Sequence, residues 1–391
     1  MNYVGEKQDI GVPLSGAGVT IGITYAVSEE DTRVEEGLKQ NLYCLRETLL
    51  QIPQVEAVYF VTWSAEEQVD FIDNVVYAGN RAKVYLYKDI IEKTSILIEG
   101  SLPISKTMAE EVKQQGSKLI SYQTGWHLAE KMDDLSHWKK LSMFDSVWLQ
   151  GQLKESEYAM YRTVIGDSVC VVPLLWLPDF IEEKVREEGL TRAVRYRSKR
   201  NKKRRVSLIG GDISQDKRRL AALLLIETAY QQDSALFASI RLYDTDIGLK
   251  EAQKNMAESI PIIEDIPRSS LLWELEAFSP YELAKQTDVI VDNTIDTVPP
   301  YLSLEVLYYD YPVVHSNAYL KKHHIGYYYE CLNVLDGVKQ LVSAISEYDT
   351  DIREQRRANK HFLDEVSPYY PSASKRYEEA IFSILYQPVK A

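Results

Sequence analysis

Two stretches of this chain carry the residue types that hold phosphate and ribose. In "RVSLIGGDISQDKRRLAALLL" a β-branched run ends in Gly210-Gly211, and Asp212, Ser214 and Lys217 lead into a helical pattern. Small residues let backbone N–H groups approach a ligand, a helix start favours an anion, and Lys217 adds a point charge suited to phosphate. A strand-to-helix turn capped by Ser or Asp has the same composition. In "IVDNTIDTVPPYLSLEVLYYDYPVVHSNAYL" a strand ends at Asn293, Pro299 and Pro300 follow, and a helix begins near Leu302. The N–H groups of Tyr301, Leu302 and Ser303 would lack intrahelical partners there and could hold a diphosphate. Glu305, one turn in, could accept hydrogen bonds from a ribose diol, or simply favour the helix dipole. His315 could touch the same phosphate or cap its strand. His323 and His324 read as solvated helix-end residues.

A third stretch stands out by charge. The chain has 391 residues and a net charge of −13, yet nine of the fourteen residues from Arg192 to Arg205 are basic and none is acidic. The acidic average argues against general nucleic-acid binding. The basic run reads either as a solvated linker or as a contact for a phosphate backbone through Arg197, Lys199, Arg200, Lys202 and Lys203. Cys44, Cys170 and Cys331 lack zinc spacing, and their odd number fits a reducing, cytoplasmic setting. The start has no signal-peptide pattern, and no apolar run of about 18 residues is present to insert into a membrane.

The elements that must position these residues alternate. Strand-like runs cover Gly18 to Val27, Val55 to Trp63, Ala82 to Lys88, Ser95 to Gly100, Lys118 to Gly125, Asp145 to Gln150 and Ser168 to Trp176. Helical spacing appears between them, as in Leu38, Leu42, Leu45, Leu49 and Ile52. Short apolar strands alternating with helices indicate a parallel sheet covered on both faces. A polar, strand-free stretch from Pro178 to Arg205 interrupts the rhythm. A second series follows, with strands at Arg205 to Gly211, Phe237 to Asp244, Asp288 to Asn293 and Tyr311 to Ser316. Its helices are expected at Lys217 to Gln232, Gly248 to Ile260, Ser279 to Thr287 and Leu302 to Asp310, with two more at the end. Asp244 to Asp246 has Asp-x-Asp spacing but reads as a turn, so no metal site is expected. In open parallel sheets ligands bind beyond the carboxyl ends of the strands, where both phosphate loops fall.

The segment "YLSLEVLYYDYPVVHS" resembles the donor region of GT-B glycosyltransferases, whose glutamate holds the nucleotide ribose and whose preceding loop holds phosphates and sugar. Thr297 stands eight positions before Glu305, where retaining members often carry another glutamate, and this leaves the stereochemical class open. "GLKQNLYCL", "VCVVPLLWLPDFIE", "YPVVHSNAYLKKHHIGYYY" and "VSPYYPSASKRYEE" resemble a bacterial and phage family of unknown function suspected to be GT-B. They are spread over most of the chain, though none is as specific as a zinc or P-loop signature.

The resemblance implies an α/β chain of two Rossmann-like domains facing each other across a cleft. Residues 1–185 would form the acceptor domain, 186–205 the basic connection and 206–391 the donor domain, with the last helix able to cross back. The nucleotide-sugar would be a co-substrate on Gly210, Gly211, Ser214, Lys217, Thr297, Tyr301, Leu302, Ser303 and Glu305, with no tightly bound cofactor. The first half would supply a base to remove a proton from the acceptor hydroxyl, with Asp31, Glu99 and His127 as strand-end candidates. Each also reads plainly as a capping carboxylate or a structural histidine. Trp126 and Trp176 could stack on a base or sugar, or pack in the core. The acceptor could be a hydroxymethylated DNA base, which the basic run would favour and which would have to be flipped out of a duplex. A surface glycan is the alternative, as is a non-catalytic nucleotide- or sugar-binding protein of the same fold. An NAD-type oxidoreductase is disfavoured because "IGGDIS" lacks the full Gly-x-Gly-x-x-Gly pattern. Oligomeric state is not legible.

Overall fold

A computed structural model describes residues 18–26, 33–63, 75–77, 80–82, 84–125, 135–199, 203–209, 217–243, 271–274, 279–293 and 299–386. Asp31, Trp126, His127, Arg200, Lys202, Gly210, Gly211, Ser214 and Thr297 lie outside these, as do the Asp244–Asp246 turn and the helix expected from Gly248 to Ile260.

The first sheet contains β1 (Val19–Thr24), β2 (Val55–Thr62), β5 (Val84–Leu86), β6 (Ile96–Glu99), β7 (Lys118–Gln123), β8 (Ser146–Gln150) and β9 (Val169–Val172). A small antiparallel ribbon, β3 (Val75–Tyr77) with β4 (Asn80–Ala82), lies beside it in sequence. The sheet order is β5-β2-β1-β6-β7-β8-β9, and the β1 register pairs Ile21 with Val58 on one side and with Ile96 on the other, both parallel. Its helices are α1 (Arg33–Leu49), α2 (Tyr87–Ile90), α3 (Lys106–Gln114), α4 (Leu135–Leu141) and α5 (Tyr158–Ile165). The helical spacing read from α1 becomes a buried stripe of Leu42, Leu45 and Leu49 against Ile21, Ile23 and Phe60. Each such leucine contributes about 1.5–3 kcal/mol relative to an exposed one.

Among its described residues, the polar stretch after β9 is free of strands only up to Lys203, because the next strand begins at Arg204. It holds α6 (Asp179–Glu187), which buries Phe180, Ile181 and Val185. The second sheet then runs β12-β11-β10-β13-β14-β15, again all parallel. Its strands are β10 (Arg204–Ile209), β11 (Phe237–Tyr243), β12 (Leu271–Glu274), β13 (Val289–Asp292), β14 (Val313–His315) and β15 (Tyr327–Tyr328). Its helices are α7 (Lys217–Gln232), α8 (Pro280–Gln286), α9 (Tyr301–Tyr308), α10 (Ala318–Lys322), α11 (Val334–Ser346) and α12 (Tyr348–Glu365), followed by α13 (Pro371–Leu385). Ser279 caps α8 and Pro280 opens it, matching the preference of helix starts for a hydroxyl followed by proline. Three long closing helices follow β15 in place of the expected two, because the chain turns at Glu347 and again between Val366 and Tyr370.

Each sheet starts at its centre, builds outward to one side, then reverses. This is the order of a Rossmann-like domain, and the chain has two of them. The last helix does not stay with the second sheet. Ala373, Tyr377, Ala380, Ile381 and Ile384 of α13 share one core with Ile21, Leu42 and Trp148 of the first. Tyr377 meets Trp148 edge-on, with ring centroids 5.5 Å apart.

Candidate functional site

The reversal of strand order leaves a crevice at the carboxyl ends of two neighbouring strands. In the second sheet those strands are β10 and β13, tied at their ends by the Asn293 N–H donating to Ile209 O at 3.0 Å. Both phosphate-loop candidates leave the sheet here: residues 210–216 follow β10 and residues 294–298 follow β13. Lys217 opens α7, and Tyr301 opens α9.

The start of α9 is anchored from below. The Ser303 hydroxyl donates to the carboxylate of Asp292, the last residue of β13, and both side chains are buried. Asp292 is not among the residues singled out from sequence, although an acid closing an apolar strand is a readable signal. The Tyr301 N–H is taken up by Pro299 O at 2.8 Å, and the Leu304 N–H by Pro300 O at 2.9 Å. Among the described residues no backbone carbonyl accepts from the N–H groups of Leu302 and Ser303, the next two donors of the helix start. Tyr301, Ser303, Leu304, Val306 and Leu307 are buried, whereas Leu302 and Glu305 are half-buried and share a face one turn apart. His315 is buried, and its ring is fixed between the Asn317 N–H, which donates to Nδ1, and Ile325 O at 2.7 Å from Nε2. That pattern makes Nε2 the protonated nitrogen. Gly326 has φ 71°, and a Cβ there would come within 2.9 Å of the His315 ring, so glycine is needed for the histidine to sit there. His315 therefore caps its strand. His323 is not a solvated helix-end residue either: it lies between Tyr319 and Phe362, with centroids 4.8 and 4.9 Å away, and burial lowers its pKa.

The first sheet has its own crevice between β1 and β6. Gly100 closes it: a Cβ there would fall 2.5 Å from Thr24 O. The Gly100 N–H donates to the Thr24 hydroxyl at 2.8 Å, and that hydroxyl donates to Leu102 O. Glu99 faces this loop, but its Oε2 accepts both the Lys140 ammonium and the Ile104 N–H, at 2.5 and 2.6 Å. A carboxylate oxygen so occupied orders a loop more readily than it takes a proton from a hydroxyl. The carboxyl ends of β7 and β8 carry Gln123, Gln150 and Gln152, all buried. Gln152 Nε2 donates to Thr124 O and to Gln150 Oε1, and Gln150 Nε2 donates to the Tyr122 hydroxyl at 2.7 Å. These carboxamides, suited to hydroxyl-rich ligands, escape the sequence reading, although "SYQTG" and "WLQGQ" both place Gln near Gly at a strand end.

The two sets of strand ends meet. A Cβ on Gly151, just past β8, would come within 3.5 Å of the Tyr319 ring in α10, and Lys322 pairs with Glu155 at 3.3 Å. Trp176 is buried and packs on Tyr308 with centroids 5.8 Å apart, a core role.

Part of the basic stretch is tied to buried acids. Lys199 and Arg205 both pair with buried Asp288, Arg204 pairs with buried Asp349 at 2.7 Å, and Arg195 pairs with buried Asp310 at 2.6 Å. Burial alone would raise the Asp288 pKa, but hydrogen bonds from Arg205 and Lys199 outweigh it and leave the pKa lowered. Arg197 is exposed and donates to Arg192 O, and Lys203 is exposed. Four of the nine basic residues thus pair with carboxylates far away in sequence. Among the described residues, no group of three His, Cys, Asp or Glu is arranged to hold a metal, and no helix is long and apolar enough to cross a membrane.

Solved structures with similar folds share little sequence. A trehalose-phosphate synthase (UDP-forming) from Burkholderia xenovorans, solved with glucose-6-phosphate, matches with a TM-score of 0.58 at 9% identity, covering 94% of this chain and 100% of that one. A glycosyltransferase from Rickettsia africae matches at 0.56 and 12% identity, covering 95% and 100%. Anabaena HepE, solved with UDP and glucose, matches at 0.54 and 10% identity, covering 93% and 100%. These likenesses give the fold: two Rossmann-like domains in the GT-B arrangement. No curated protein matches by sequence. A family model described as "Protein of unknown function (DUF2827)" matches residues 18–381, and the chain belongs to that family.

Proposed function

We propose that this protein transfers a sugar from a nucleotide-sugar donor to a hydroxyl acceptor. The observation that carries this reading is that β10 and β13, the two strands after which the candidate phosphate loops follow in sequence, end side by side at the reversal of strand order. The diphosphate would lie on the N–H groups of Leu302 and Ser303 and on the loop of Gly210, Gly211, Ser214 and Lys217, with Thr297 beside the sugar. Glu305 would accept from the ribose diol. Residues 1–185 would serve as the acceptor domain and 206–391 as the donor domain, with the connection at 186–205 between them. His127 and Asp31, which follow β7 and β1 in sequence, are the bases this reading retains, and Glu99 orders the loop that follows β6. HepE, solved with UDP and glucose on a similar fold, supports a nucleotide-sugar co-substrate.

For the acceptor, the carboxamides ending β7 and β8 support a glycan hydroxyl. Of the five residues read as a DNA contact, Lys199 is paired with buried Asp288 while Arg197 and Lys203 are exposed, and the neighbouring Arg195, Arg204 and Arg205 pair with buried aspartates, so the basic run gives less support to that acceptor than its charge alone suggests. The donor site is tested by Glu305→Ala. Losing one charge-assisted hydrogen bond costs about 1.5–3 kcal/mol, so the affinity for nucleoside diphosphate should fall about tenfold or more. Calorimetry with a folded variant that binds as well as the parent would remove Glu305 from the site.

A further inference from the structure

Tyr301 has two faces. Its backbone opens α9, directly before the Leu302 and Ser303 N–H groups. Its side chain leaves the second sheet altogether. The hydroxyl donates to Leu175 O at 2.9 Å and accepts from the carboxamide Nδ2 of Asn41, which belongs to α1 of the first sheet. Tyr301 and Asn41 are both buried, so neither hydrogen bond is shared with bulk water.

A second buried network in the first domain centres on the Tyr122 hydroxyl near the end of β7. That hydroxyl accepts from Gln150 Nε2 at 2.7 Å and lies 3.3 Å from the Tyr377 hydroxyl. Tyr377 sits on α13, the helix that packs back on the first sheet, and donates to Pro173 O at 3.0 Å. The proton directions are consistent: Tyr377 donates to Pro173 and so accepts from Tyr122, which in turn accepts from Gln150. Buried, directed hydrogen bonds therefore tie β8 to α13, and a separate pair ties Asn41 and Leu175 to the first turn of α9. Such networks hold one geometry, because any misplaced member leaves a buried polar group unsatisfied.

We infer that Asn41 is a positioning residue for donor binding: through the Tyr301 hydroxyl it sets where the first turn of α9 presents its N–H groups. This rests on the donor site proposed above. It assigns the first domain a part in holding the donor diphosphate. Nucleoside recognition, assigned to Glu305 one turn on, should not depend on it.

The test uses the full-length protein with Tyr301→Phe, which keeps the ring and removes only the hydroxyl, and with Asn41→Leu. UDP, GDP, ADP and dTDP are titrated by calorimetry against the wild type, and the tightest is compared with its own nucleoside. Both variants should bind the diphosphate at least about fivefold more weakly, with the nucleoside affinity unchanged. The double variant should lose little more than either single one. Hydrogen exchange without ligand gives a readout independent of the nucleotide: amides of residues 301–304 should exchange faster in Tyr301→Phe, and those of α7 should not. Diphosphate and nucleoside affinities falling together, or exchange at 301–304 unaltered in folded Tyr301→Phe, would overturn the positioning role and leave the donor site standing. A wild type that binds none of the four diphosphates would overturn both.

Discussion

Asp349 lies in the first turn of α12 and collects three donors: the Tyr196 hydroxyl at 2.9 Å, the Lys199 N–H at 2.7 Å and the Arg204 guanidinium at 2.7 Å. The side chains of Arg204 and Asp349 are only 5% and 4% exposed, so this is a buried ion pair. Asp349→Asn keeps the shape, removes the charge and turns an NH2 group toward groups that also donate. Removing one partner of a buried pair costs about 3–5 kcal/mol, because the other charge stays buried without compensation. Each kcal/mol shifts melting by about 2–4 °C in domains of this size, so the transition should fall on the order of 10 °C. Differential scanning calorimetry at pH 7 is the assay. Arg197→Ser with Lys203→Ser is the control, since both side chains are exposed and surface changes stay within about 0.5 kcal/mol. If Asp349→Asn melts within a degree or two of the wild type, the basic stretch is not held by buried acids. Its charge would then need another explanation.

Three further outcomes follow from the same geometry. Glu305→Ala should weaken nucleoside diphosphate binding about tenfold or more in calorimetry, with the fold intact by circular dichroism. Asp288 has a lowered pKa, so its pairing stabilises the protein above the ordinary aspartate range and is lost as pH falls through the folded value. Melting curves should show Asp288→Asn destabilised at neutral pH, with the gap to wild type narrowing below about pH 4; a gap that does not change with pH would contradict the pairing. In a DNA titration at several salt concentrations, the wild type should bind weakly, and Lys199→Ser with Arg200, Lys202 and Lys203 also changed to Ser should not flatten the salt slope. A slope that falls by about 0.9 for each phosphate no longer neutralised would restore a DNA acceptor.

Much of the architecture is legible because it is local. The leucine spacing of α1 and the β-branched runs of β1, β6, β10 and β13 each report a buried face through a fixed period. The four-residue β12, with its sequence LLWE, is not legible, because a run that short shows no period. The helix in the connection is hidden for a related reason: Phe180, Ile181 and Val185 are sparse among charges, and their burial depends on a distant partner surface. The candidate site is legible as loops and not as side-chain partners. Glu305 and the start of α9 can be found from proline, serine and glutamate order. That Tyr301 reaches Asn41, 260 residues earlier, cannot, because nothing local to either residue encodes the other. The basic stretch misleads for the same reason: its aspartate partners lie from 83 to 145 residues away.

The central claim is that the β10–β13 crevice binds a nucleotide-sugar and that the protein breaks its sugar–phosphate bond. Incubating purified protein with a panel of UDP-, GDP-, ADP-, dTDP- and CMP-linked sugars, and following nucleotide release by chromatography, tests it most directly. Slow release from one donor, abolished in Glu305→Ala, is the predicted result. Release or binding of none, by a protein shown to be folded, would contradict the claim and favour a non-catalytic role for the fold.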